Sequence, residues 1–500
     1  MIHFIDKVND IFWGYFLIAG LILCALWFTL RTKGVQFTMI REMFRLLGES
    51  ADKPAEKTSS AIEKESTPVE KASTKEKKTR FRLKAVGHKG HISSFQAFAV
   101  SLATRVGTGN LAGVACAIAV GGPGAVFWMW VTALLGSATA FVESTLAQLF
   151  KIKGKDSFVG GPAYYMERGL GKRWMGVVFA VLITLTFGLS YNSVQSNTLC
   201  AALDSAFGWN RLVVGLIVCA VMLVIIFGGI RRIARFSSAI VPIMALGYIT
   251  LAFVVVAINI HSLPHVLKMI FEGAFGLRQA AGGLVGSAIM QGVKRGLFSN
   301  EAGEGSAPNA AATAHTSHPV KQGLIQALGV FTDTLVICSC TAFIILCSGD
   351  TLNPDVEGVQ LTQHALSTQF GSFGVYFVAI ALLFFVFSSL IGNYYYGEAN
   401  LHFMLKGHKS ERLLLNIFRC CSAGMVLFGA LASLTTVWAI ADLFMALMTT
   451  FNLLSIALLG HYAFRLLDDY RSQKKEGNKS PVFRKRELFP EISDKLEGWE

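Results

Sequence analysis

The chain has 500 residues, of which 53% are hydrophobic, only 15% are charged and 38 are Phe, whereas a soluble domain carries about a quarter charged residues. With a mean hydropathy of +0.51, this excludes a disordered, fibrous or disulfide-stapled chain and points to an all-α integral membrane protein. The formal charge of +13 does not imply a nucleic-acid partner, because the excess Lys and Arg lie mostly in loops between apolar stretches, where a membrane protein keeps them.

About eleven apolar stretches are long enough to cross a bilayer as helices. They fall at 11–30, 93–119, 123–149, 175–203, 211–229, 238–260, 280–300, 322–348, 372–401, 413–433 and 436–464, and are called spans one to eleven. Span one follows Asp6, Lys7 and Asp10, a net negative lead with no A-x-A site behind the apolar run, so it is expected to span the membrane and not to be cleaved. Val35, Phe37, Met39, Ile40, Met43, Phe44, Leu46 and Leu47 then recur at helical spacing around Arg41, Glu42 and Arg45, which predicts a short interfacial helix over 35–48. Residues 49–80 mix charges with Ser, Thr, Ala and Pro and hold only Ile62 and Val69 as large aliphatics. They are expected to be disordered, within a charged insert covering 49–90.

Basic residues follow each odd-numbered span: Arg31 and Lys33, then Lys151, Lys153 and Lys155, then Arg231, Arg232 and Arg235, then Lys406 and Lys409, then Arg465 and Arg471. The loops between are poor in them; 349–371 has Asp350, Asp355 and Glu357 but no Lys or Arg. The bias puts the N-terminus outside and the C-terminus in the cytoplasm of a multi-pass protein of the cell's inner membrane. The nine cysteines form no CxxC pair and read as small hydrophobes within or beside the spans, not as a zinc or disulfide framework.

Glycines and polar groups at membrane depth carry the functional signal. Span two holds Gly107-Thr108-Gly109-Asn110 in its middle. This is either an unwound point, whose free amides attract an anion and whose free carbonyls attract a cation, or a small-residue packing face. Span seven crowds Gly292, Gly296, Gly303, Gly305 and Pro308 around Phe298-Ser299-Asn300-Glu301. Two interrupted helices at corresponding places in two five-span halves, spans 2–6 and 7–11, predict an inverted repeat with a midplane site, the pattern of a secondary transporter. The expected segments are thus 1–34 (N-terminal transmembrane helix), 35–48, 49–90, 91–260 and 261–466 (the two halves), and 467–500 (cytoplasmic tail).

Other polar residues each have two readings. Asn192, Gln195 and Asn197 either reach a substrate or bond between helices. Ser388 and Ser389 either supply hard oxygen ligands or bond back to their own helix. Asp333, Asp442 and Glu143 are intramembrane carboxylates, functional by default unless paired or at a wet edge. Trp438 either walls a small pocket or anchors at an interface. Lys294 and Arg295 are expected to pair with Glu301 or Glu304, or to snorkel. His315 and His318 sit beside Pro319 in an expected loop, which argues against a metal pair. The chain has no GxSxG, HExxH or GxxxxGK[ST], so no enzyme, catalytic residue or bound cofactor is expected.

At these motifs the chain resembles the alanine or glycine:cation symporter family. The matching stretches are SSFQAFAVSLATRVGTGNLAGVACAIAVGGPGAVFWMWVTALLG, FVGGPAYYMERGLG, GLFSNEAGEGSAPNAAA, HPVKQGLIQALGVFTDTLVIC and IGNYYYGE, and the likeness runs from about Ser93 to the end of span eleven. The insert over 49–80 departs from the family, which usually links these elements more briefly. The resemblance implies a leucine-transporter-like fold, ten core helices plus an N-terminal one, and Na⁺-coupled uptake of a small neutral amino acid across the lipid bilayer. It implies sodium ligands at the carbonyls of Ala103 and Val106 and the hydroxyls of Ser388 and Ser389. It puts the substrate carboxylate at Thr108 and Gly109, and Asn110, Gln195, Phe298 and Trp438 among the substrate-binding residues, with a second sodium site at Asn110. Proton coupling through Asp333, Asp442 or Glu143, an amino-acid sensor and a channel are the alternatives.

Overall fold

The computed structural model describes residues 2–52, 92–154, 157–226, 229–276, 282–349 and 358–499. Most of the expected insert at 49–90 lies outside the described residues. Among the described residues, seven helices are long and apolar enough to cross a membrane, nine if each of two bent pairs counts as one span. The chain is a multi-pass, all-helical membrane protein whose only sheet among the described residues is the antiparallel pair Ile152–Lys153 with Phe158–Val159. Large apolar side chains such as Leu30, Ile243 and Phe253 stand exposed on the bundle's flank, as a surface facing hydrocarbon requires.

Each expected span coincides with a helix or a helix pair. Span five is the shorter apolar helix Arg211–Ile226, and span seven is Gly282–Asn300. Span eleven, expected to stop near 464, continues to Lys475. Helices outside the expected spans include Pro162–Arg168, Val359–Phe370 and Leu263–Ala274, the last turned 105° from Pro242–Ile258. Leu263–Ala274 lies across the start of Gly124–Leu149. Trp128 Nε1 donates to Ala274 O at 3.2 Å, and a Cβ on Gly124 would meet the Gly273 backbone at 2.2 Å. The interfacial helix is observed as a turn, Val35–Thr38, and a helix, Ile40–Asp52.

Two spans break where the glycines predict. Span two is Ser94–Arg105 followed by Gly109–Gly121, bent by 46°. Its start is fixed by a capping box, Ser93 Oγ accepting from Gln96 N at 3.1 Å and Gln96 Oε1 from Ser93 N at 3.0 Å. Helical geometry ends at Val106, with ψ of 91°. Span seven ends at Asn300 and resumes as Ala307–Ala312. Between them Glu301 adopts φ +56°, left-handed backbone that costs a non-glycine residue about 1–3 kcal/mol, and Gly303 and Gly305 also have positive φ. Lipid cannot hydrate such backbone, so protein must satisfy it. Glu143 Oε1 accepts from Gly303 N at 3.2 Å, Asn452 Nδ2 donates to Gly303 O at 2.9 Å, and Ser306 Oγ closes onto Glu301 Oε2 at 2.6 Å.

The C-terminal segment folds back over one end of the bundle. Phe483 N donates to Ser317 O at 2.9 Å, Arg465 pairs with Glu491 at 2.8 Å, and Trp499 Nε1 donates to Gln148 O at 3.0 Å.

Candidate functional site at the two helix breaks

Span two's break frees carbonyls in a defined way. In a continuous helix Gly107 N would donate to Ala103 O; here it donates to Asn110 Oδ1 at 2.9 Å. The released Ala103 O turns to span nine and accepts from Ser389 Oγ at 2.9 Å, with Val106 O at 3.4 Å. Gly107 is required by this approach, because a Cβ there would come within 2.4 Å of Ser389 Oγ and 3.1 Å of Gln195 Oε1. Two carbonyls and a hydroxyl from two helices converge, the hard oxygen set that a discontinuous transporter helix offers an alkali cation. Ser388 is equally buried, but its Oγ donates to Phe385 O on its own helix at 2.8 Å. Of the two serines, Ser389 is therefore the one that joins the spans. No group of three or more His, Cys, Asp or Glu side chains suited to a metal ion occurs among the described residues.

One turn on lie the residues that the resemblance puts at the substrate. Thr108, Gly109, Asn110, Gln195, Phe298 and Trp438 are all buried. Gln195 Oε1 accepts from Thr108 N at 3.3 Å, whereas Thr108 Oγ1 is buried without a partner. Phe298 lies on the break, since a Cβ on Gly109 would sit 3.1 Å from its ring. Its ring centroid is 4.6 Å from Trp438 and 4.5 Å from Tyr191. Backbone amides, an open hydroxyl and three aromatic rings around one helix break suit a zwitterion with a small side chain. Asn192 and Asn197 take the other reading, bonding to Gly188 O and to Gly429 O and Ala432 O.

Asn110 is a hub. Its Nδ2 donates to Asp333 Oδ1 at 2.6 Å, Ser299 Oγ at 3.1 Å and Cys338 Sγ at 3.3 Å, and Ser299 Oγ donates to Asp333 Oδ2 at 2.7 Å. Asp333 is thus tied to both broken spans. In the sequence Asp333 stands out as an intramembrane carboxylate, Ser299 only as part of the glycine-crowded stretch, and Tyr191 not at all. The adjacency of Ser299 to Phe298 was the available signal. Arg105 was also missed, although an arginine inside an apolar run is visible in the sequence. It is 1% exposed and donates to Gln326 O at 3.3 Å, with Nε and Nη2 unpartnered among the described residues.

One expected pairing is corrected. Lys294 and Arg295 do not pair with Glu301 or Glu304; Arg295 Nη2 meets Asp442 Oδ2 at 2.8 Å and Lys294 Nζ lies 3.9 Å from it. The reason is the break. Residues 294 and 295 still belong to the regular helix and face span eleven, whereas Glu301 and Glu304 lie in the unwound segment, bonded by Ser306 and Tyr191.

A broken-helix bundle with carbonyls and a hydroxyl gathered at the break in span two, and Phe298 of the second broken span packed against it, defines a secondary transporter of the leucine-transporter-like class. Among solved structures, MhsT in complex with L-phenylalanine matches at a TM-score of 0.50 and 14% identity, covering 82% of this chain and 97% of MhsT. The chain belongs to the sodium:alanine symporter family, whose profile matches residues 1–64 and 70–485. It is 52% identical over 483 residues to the probable sodium/glutamine symporter GlnT of Bacillus subtilis strain 168, covering 97% of this chain and 93% of the relative. It is 47% identical over 498 residues to the amino-acid carrier protein AlsT of the same organism, covering 99% and 97%.

Proposed function

We propose that the protein takes up small neutral amino acids such as alanine or glycine by Na⁺-coupled symport with alternating access. The observation that carries this reading is the convergence of Ala103 O, Val106 O and Ser389 Oγ beside the break at Thr108–Gly109. Na⁺ would be held there by those oxygens, with Ser388 as a fourth ligand after a rotamer change, and would bridge spans two and nine. That bridge orders the unwound segment for the substrate carboxylate at Thr108 and Gly109, so each ligand raises the other's affinity. Gln195, Phe298 and Trp438 enclose the side chain. Occupancy of both sites then permits closure and inward release. The N-terminus faces outward and the C-terminus the cytoplasm, in the inner membrane, as the Lys/Arg bias requires.

Radiolabelled alanine uptake into proteoliposomes, with an imposed Na⁺ gradient against an equal K⁺ gradient, tests this. Uphill accumulation with Na⁺ alone is the expected result. In Ser389→Ala the Na⁺ activation curve shifts to about tenfold higher concentration, the effect of about 1.4 kcal/mol, while amino-acid saturation at high Na⁺ changes less. An unchanged Na⁺ curve rejects the assignment.

Asp333 supports a second reading, proton coupling, because it is fully buried and hydrogen-bonded to Asn110 and Ser299 across both breaks. Sodium-free accumulation driven by a pH gradient, lost in Asp333→Asn, would favour it. A second cation site at Asn110 belongs to the same cluster.

A further inference from the structure

The segment that follows span eleven joins elements that are far apart in the chain. Gly477, with φ of +88°, turns the chain back, and residues 478–499 then bury Phe483, Phe489, Leu496 and Trp499. One side of this segment is tied to span eleven. Gln473 exchanges two hydrogen bonds with Val482, both at 2.9 Å, and Arg465 pairs with Glu491. The other side lies on the ends of spans three, seven and eight. Phe483 N donates to Ser317 O at 2.9 Å, Ser317 Oγ to Pro481 O at 2.8 Å, and Lys321 Nζ to Ser480 Oγ at 2.8 Å. Trp499 Nε1 reaches Gln148 O at 3.0 Å. Gly498 lies so close to Lys151 that a Cβ would come within 2.6 Å of the Lys151 carbonyl oxygen.

Those partners lead to both broken spans. Gln148 Nε2 donates to Ala314 O at 3.1 Å and to Ala311 O, and Lys151 Nζ donates to Ala314 O at 3.0 Å. Together they grip the end of Ala307–Ala312, the second half of span seven. His315 N then donates to Ile92 O at 3.0 Å, just before Ser94–Arg105, the first half of span two. Ile92, Ala97 and Ala314 close this junction as one buried apolar cluster. A helix interrupted at Val106–Gly107 or at 301–306 bends most easily at the interruption, so each of these halves can swing as a rigid lever. We infer that residues 478–499 are a strap that holds both levers closed at this end of the bundle and must lift before a substrate leaves there. The inference rests on the transport reading and the orientation given above. The strap touches neither the ligand oxygens nor the aromatic rings, so it controls how often the site opens to the cytoplasm and not what the site binds. Its links to Lys321, Arg465 and Gln473 are exposed to water and cost little to release; the buried anchors are Phe483 and Trp499.

The test uses the full chain in inside-out membrane vesicles, with Ala97→Cys as a reporter at the junction and an impermeant maleimide as the probe. The chain without that cysteine is the blank. Labelling is expected to run about fivefold faster when Trp499→Ala is added, the scale of one hydrogen bond. It should be faster still with Phe483→Asp, which puts a charge among the buried rings of the tail. Efflux of preloaded alanine accelerates in the same order. Conversely, bridging Ser317→Cys to Pro481→Cys with a short bifunctional methanethiosulfonate should abolish alanine uptake, and a reductant should restore it. Unchanged labelling in both tail variants, or full uptake by the bridged protein, overturns the strap and leaves the tail as a passive cover. The labelling needs neither Na⁺ nor amino acid. A chain that accumulates nothing on a Na⁺ gradient yet labels faster in the tail variants therefore loses the symport reading and keeps the junction under the tail's control.

Discussion

Arg295 and Lys151 are two of the buried basic residues among the described ones, and they are stabilised in opposite ways. Arg295, between spans seven and eleven, has a carboxylate from Asp442 and the face of Trp438. Lys151, 1% exposed just past the end of Gly124–Leu149, has no carboxylate among its described partners. Its Nζ donates to Gln148 Oε1 at 2.8 Å and Ala314 O at 3.0 Å, and lies 4.2 Å and 4.4 Å from the ring centroids of Phe158 and Trp499. The difference lies in what surrounds each. Arg295 is packed between two spans, and its countercharge comes from the bundle itself. Lys151 is sealed by a chain end, and water returns if that end lifts.

The largest effect expected from this contrast is at Asp442. Asp442→Ala leaves Arg295 and Lys294 buried without a countercharge and should cost about 3–5 kcal/mol, read as a lowered thermal midpoint of the detergent-solubilised protein. The double variant Arg295→Met/Asp442→Leu should recover part of that loss, because the Arg295 charge goes with its partner while Lys294 stays buried. No recovery would mean that the pair is not what stabilises the contact.

At the other cation the expected effect is smaller. Trp499→Ala removes the ring packed over Lys151 and the bond to Gln148 O; one such hydrogen bond contributes about 1 kcal/mol. The docked tail then opens with the bundle intact, so limited proteolysis should cut near 477–482 while the thermal midpoint moves little. A large drop in midpoint would show that the tail is integral to the bundle.

Smaller again is a pH effect at the same place. Burial pushes the Lys151 ammonium from its ordinary 10.5 down to about 7. Between those values the released lysine binds a proton that the docked one does not. Docking therefore strengthens as pH rises from about 7 to 10.5 and weakens as it falls across that window. Trp499 fluorescence in a variant lacking the other tryptophans reads this directly, and Lys151→Met should flatten the profile.

The smallest effect is at the interfacial helix. Burial alone would raise the Glu42 carboxyl, but hydrogen bonds from Arg45 and Tyr470 and the Lys474 charge outweigh it and hold it at about 2, below the usual 4.5. Its contribution to docking Ile40–Asp52 on the end of span eleven is complete above pH 4.5 and fades as pH falls toward 2. Hydrogen exchange in 40–48 should accelerate only in that acidic range.

Much of the fold was legible without coordinates, because in hydrocarbon a helix is the one local structure that satisfies its own backbone. Apolar length marked the long helices, seven to nine of which, among the described residues, are long and apolar enough to cross a membrane, and glycine crowding marked both breaks. The helices at Leu263–Ala274 and Val359–Phe370 escaped notice because they lie across the bundle's ends, where apolar length has no bearing. Thr108, Gly109, Asn110, Gln195, Phe298 and Trp438 were identified and do gather, but on the strength of a family resemblance. Ser388 and Ser389 were indistinguishable in sequence. A rotation of one residue on span nine leaves Ser389 bonded to Ala103 O and Ser388 bonded to its own helix.

By itself, the sequence determined the membrane class, the positions of the spans and the two weak points in them, since each is a property of a short window of residues. Tertiary structure alone decided who faces whom: Arg295 with Asp442, Glu143 with the Gly303 amide, Asn110 with Asp333, Lys151 with Trp499. The physical reason is that a buried charge or amide accepts whichever partner the packing brings within about 3 Å, and residues more than a hundred positions apart carry no local pattern that announces the meeting.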